Sequence, residues 1–100
     1  MGKLTDILQD MIDEAERIDK PVIRKLGKGL MIGIKASTTN YTVTIARDDA
    51  YPSASEWGTI FRHFPWYCQV PDATQTTTKH GRKALSGRVP KRHIQQMRFN

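Results

Sequence analysis

The chain has 100 residues, 38% apolar and 26% charged, with a formal net charge of +6. These values describe one small globular domain, excluding wholesale disorder and leaving no room for two domains. Its longest apolar run, Leu30 to Ile34, is interrupted by Gly33 and falls far short of the roughly 20 residues of a membrane-spanning helix.

Membrane association is therefore not expected. Met1-Gly2-Lys3-Leu4-Thr5-Asp6 lacks the apolar core of a signal peptide, and Cys68 is the single cysteine. A lone thiol makes no internal disulfide, so a cytoplasmic location is the expectation.

Leu4, Ile7, Leu8, Met11, Ile12, Ala15 and Ile18 recur at spacings of three and four, the stripe of an amphipathic helix. Asp6 and Asp10 fall in its first half and Lys20 at its end, as the helix dipole favours, and Pro21 stops it. After Val22-Ile23-Arg24-Lys25-Leu26, the triplet Gly27-Lys28-Gly29 reads as a turn. Leu30, Ile32, Ile34 and Ala36 then alternate with Met31, Gly33 and Lys35. Tyr41, Val43 and Ile45 alternate with Thr42, Thr44 and Ala46. Two such runs joined by Ser37-Thr38-Thr39-Asn40 predict an antiparallel hairpin, wet on its threonine side.

Ser53-Ala54-Ser55-Glu56 has the form of a capping box, and Trp57, Ile60, Phe61 and Phe64 share one face of the short helix it opens, with Pro65 as its stop. Trp66-Tyr67-Cys68-Gln69-Val70 reads as a third strand, halted by Pro71-Asp72. Beyond it, apolar periodicity fades. The predicted fold is α+β: a small two-layer domain with two helices packed on an antiparallel sheet of about three strands. The compact domain is assigned to residues 1–71, and a basic, glycine-containing extension to residues 72–100.

Charge divides along the chain. Residues 1–20 hold three basic and six acidic side chains, whereas residues 71–100 hold seven basic ones against Asp72 alone. Lys79, Arg82, Lys83, Arg88, Lys91 and Arg92 are loosely spaced among glycines, which suits tracking of a phosphate backbone better than reading of bases by a rigid helix. The functional expectation is a non-enzymatic nucleic-acid-binding accessory protein, for DNA or RNA, gripping phosphates through those six residues. The alternative is a protein-interaction module, a homodimer or a subunit of a larger complex. Its basic tail would bind an acidic partner surface, such as the first helix of another copy.

Catalytic readings are weaker. Asp48, Asp49 and Glu56 offer carboxylates for Mg²⁺-dependent phosphodiester cleavage, but Glu56 already has a capping role. His63, Cys68, His80 and His93 lack the close pairs of a zinc site, and Cys68 with His63 lacks a nucleophile turn. No phosphate-loop glycine pattern occurs. No metal, cofactor or catalytic residue is expected. The aromatic cluster around Trp57 is assigned to the core.

Overall fold

The computed structural model describes residues 3–65 and 69–92. Helix α1 (Lys3–Arg17) leads into strands β1 (Val22–Gly27), β2 (Leu30–Ala36) and β3 (Asn40–Arg47). Helix α2 (Ala54–Arg62) follows, then β4 (Thr74–Thr77) and β5 (Lys83–Pro90). The strands form one antiparallel sheet in the order β1-β2-β3-β5-β4. The architecture is α+β, as the periodicities predict, but with five strands where about three were expected.

Helix α1 buries Leu8, Met11, Ile12 and Ala15, the centre of the predicted stripe, while Leu4, Ile7 and Ile18 pack at its margin. Helix α2 buries Trp57, Ile60 and Phe61. These side chains join Ile32, Ile34, Val43, Ile45, Leu85 and Val89 in one core, so both helices lie on the same face of the sheet. Phe61 meets the edge of Trp57 with ring centres 4.9 Å apart, and lies 4.7 Å from Phe64. The aromatic cluster is core, as assigned, for these three residues. Trp66, Tyr67 and Cys68 lie outside the described residues.

Local chemistry explains the connections. Gly27 pairs with Leu30 across a two-residue turn in which Lys28 (φ 54°) and Gly29 (φ 78°) are both left-handed. That conformation matches the twist of the flanking strands and favours glycine. Between β2 and β3, Ser37 N–H donates to the Asn40 carbonyl at 2.8 Å, and the Ser37 hydroxyl accepts from Asn40 N–H. The predicted capping box is present: Glu56 N–H donates to Ser53 Oγ at 3.1 Å, and Ser53 N–H to Glu56 Oε1 at 2.9 Å. Helix α2 ends at Arg62 with His63 as its cap, before Pro65 is reached.

Two sequence expectations are corrected. Val22–Gly27, left without an element, is an edge strand paired with β2. The segment from residue 74 to residue 90, read as part of a loose extension, supplies β4 and β5. β5 runs between β3 and β4, with every residue from Lys83 to Pro90 matched to one from Arg47 to Asn40. Its inward apolar contribution is only Leu85 and Val89, because Gly87 occupies the position between them. That gap hid the strand from a search for alternation. Of the predicted strand at 66–70, Gln69 and Val70 are not in a strand, and the rest lies outside the described residues.

Candidate nucleic-acid interface

Alternation along a strand sends neighbouring side chains to opposite faces. Since Ile32, Ile34, Val43, Ile45, Leu85 and Val89 face the helices, the residues between them occupy the other face, on which neither helix packs. The registers arrange that open face in cross-strand rows. One row runs Lys25, Met31, Ala46, Ala84, Thr76; the next runs Ile23, Gly33, Thr44, Ser86, Thr74; a third runs Lys35, Thr42, Arg88. The hydroxyls of Thr44 and Ser86 lie 3.1 Å apart across β3 and β5.

Lys35 and Arg88 thus flank Thr42, with backbones about 10 Å apart at two strand spacings. Lys25 and Arg88 are exposed and form no ion pair among the described residues. Lys35 Nζ stands 3.7 Å from Asp19 Oδ1, a loose and exposed contact of the kind worth little in water. On the far side of the molecule, the exposed surface of α1 carries Asp6, Asp10, Asp13 and Glu16. Cations therefore outnumber acids on the bare sheet, where Asp19, Asp48 and Asp72 lie beside Lys35, Arg82 and Arg88, and acids outnumber the exposed Lys3 and Arg17 on the first helix.

The six sequence-predicted cations do not act as one free tail. Arg82 Nε donates to Asp48 Oδ1 at 2.7 Å, and Lys91 Nζ donates to Glu16 Oε1 at 2.9 Å. Lys83 lies 5.9 Å from the centre of the Tyr51 ring, and Lys91 lies 5.0 Å from that of Tyr41. Lys79, in the β4–β5 turn, Arg88 and Arg92 are exposed and make no ion pair among the described residues. Lys25 and Lys35 extend the cationic surface from strands far away in sequence. Their signal was available only in strand parity, and for Lys25 it first required β1 to be recognised.

The carboxylates weighed for metal chemistry are engaged elsewhere. Glu56 receives the Arg47 guanidinium as well as Ser53 N–H. Arg47 and the Ser53 N–H together hold its carboxyl below the usual range, against the opposing effect of burial. Asp48 holds Arg82. Glu16 is also held low: burial pushes it up, but hydrogen bonds from Tyr41 and Lys91 outweigh that effect. Among the described residues, no three His, Cys, Asp or Glu side chains form a metal-binding group, and no helix is long and apolar enough to cross a membrane.

Between the β1 edge and the β4–β5 hairpin, the open face sinks into an apolar trough of about 260 Å³. Gly33, Thr44 and Ala46, with little or no side chain, leave space there; Ile23 and Met31 line one side, and His80 and Arg82 the hairpin side. Ile23 is 56% exposed despite being apolar. Comparison of the chain with protein-family models, with curated proteins and with solved structures finds no match.

Proposed function

We propose that this protein binds nucleic acid without catalysing a reaction on it, and that phosphates contact the open face of the sheet. The observation that supports this reading is the uneven distribution of charge: Lys25, Lys35 and Arg88 project from the bare face, where acids are fewer, while the acids of α1 lie on the opposite side. A polyanion approaching the sheet meets cations and avoids the repulsive helix. The proposal keeps Arg88, Lys79 and Arg92 from the basic segment as contacts and adds Lys25 and Lys35. Arg82 and Lys91 are already paired, with Asp48 and Glu16 respectively.

The test is binding of fluorescent random-sequence DNA and RNA at several salt concentrations, using the intact chain and the variant Lys25→Gln/Lys35→Gln/Arg88→Gln. Each lost phosphate contact lowers the slope of log affinity against log salt by about 0.7–0.9, so the variant, which lacks three, is expected to lose about 2–3 units and bind more weakly. Unchanged affinity and slope in a folded variant refute the proposal.

A further inference from the structure

We infer that the trough on the open face seats unpaired bases, so that the ligand class is single-stranded nucleic acid rather than duplex. This rests on the reading of the sheet as a phosphate-binding face and narrows it. Shape is the first argument. Reading a duplex groove takes a protruding helix or ribbon, because the major groove is itself a recess about 12 Å wide. Neither α1 nor α2 stands on this face, and the surface offered is concave. Its volume, about 260 Å³, falls just under the range of sites for drug-sized molecules.

The second argument is chemical. The wall formed by the hairpin presents an imidazole, His80, and a guanidinium, Arg82. Both are planar groups on which unstacked bases lie. Arg82 donates to Asp48 through Nε, which favours one orientation of its plane before ligand arrives, and its side chain remains 33% exposed. The opposite wall, Ile23 and Met31, supplies apolar surface for the other side of a base. Lys35 and Arg88 lie one register row beyond Gly33 and Thr44, which puts cations beside the trough where the backbone of a strand seated there would run. Apolar floor, planar wall and flanking cations are the combination that a single strand requires.

The test compares a random-sequence oligonucleotide, single-stranded and annealed to its complement, against the intact chain and the variants Gly33→Val and His80→Ala. At Gly33 a Cβ would meet Ile23 Cγ1 at 3.7 Å and the Val22 carbonyl at 3.8 Å, ordinary contacts. The Cβ of a valine is therefore accommodated at this position, which lines the trough. The single strand is expected to bind at least about tenfold more tightly than the duplex. Each variant should weaken single-strand binding about 5- to 100-fold, the scale of one lost stack, with the salt slope unchanged. Equal affinity for both forms, with both variants neutral, overturns the inference and leaves the phosphate-binding reading intact. Absence of binding to either form overturns both. If sedimentation shows self-association that Gly33→Val abolishes while nucleic-acid binding is unaffected, the trough belongs to a second copy of the chain and the inference falls.

Discussion

The indole of Trp57 lies against Gly87: a methyl group at Gly87 would come within 2.8 Å of Trp57 Cζ2 and 2.6 Å of the Asp72 carbonyl. Glycine is required there because the ring occupies the space a side chain would fill. The same ring donates Nε1–H to the Pro71 carbonyl at 2.8 Å, so one residue of α2 fixes both β5 and the approach to β4.

Gly87→Ala is accordingly expected to destabilise the fold by about 1–3 kcal/mol through overpacking, since one of the clashing atoms is backbone. Gly58→Ala is its control. A Cβ there meets nothing within 4 Å, inside α2, and the substitution should stabilise by up to about 1 kcal/mol. Urea denaturation of the two variants checks both signs.

Trp57→Phe keeps most of the ring and removes the donor to Pro71, leaving a partly buried carbonyl without its partner. A loss of about 1 kcal/mol beyond the packing change is expected. Hydrogen exchange should show faster opening of β4 than of β2.

Acid should weaken the fold through Glu56. Its folded pKa lies below the unfolded value of about 4.3, so its contribution is complete above that value and is lost as pH falls through the folded one. Glu16 has the same sign. The variant Glu16→Gln/Glu56→Gln should be less stable at neutral pH and show a flatter loss of stability below about pH 4.3. Thermal melts across pH 2–7, roughly the span over which carboxylates titrate, provide the comparison.

Removing everything after Thr78 should abolish cooperative unfolding, because β5 lies between β3 and β4 and contributes Ala84, Leu85 and Val89 to buried positions. Circular dichroism and a denaturant titration of the shortened chain test this. For the same reason the role of the basic residues is measured with point substitutions, not with truncation.

Much of the first half was legible in the sequence because its signals are local. The stripe of α1, the alternation of β2 and β3, and the reciprocal Ser53–Glu56 cap each need only a few neighbouring residues. β5 was not legible. Its inward positions read Lys83, Leu85, Gly87, Val89, and the glycine has its meaning only once Trp57, thirty residues earlier, is laid on it. Nor could charge counting separate Arg88, which stays open, from Arg82 and Lys91, whose acids Asp48 and Glu16 come from distant elements. The open-face site depends on strand order, which places Lys35 and Arg88 on either side of Thr42 although they are far apart in the chain.

The pairing of Asn40 with Pro90 and of Arg47 with Lys83 has a consequence for synthesis. As the chain leaves the ribosome, β3 emerges long before the strand that covers it, so its ladder of amide groups stays open on one side while the following residues are made. Nonlocal closure of this kind slows folding, and an uncovered edge recruits other chains. Nascent molecules are therefore most prone to aggregate in the interval between release of Arg47 and arrival of Pro90.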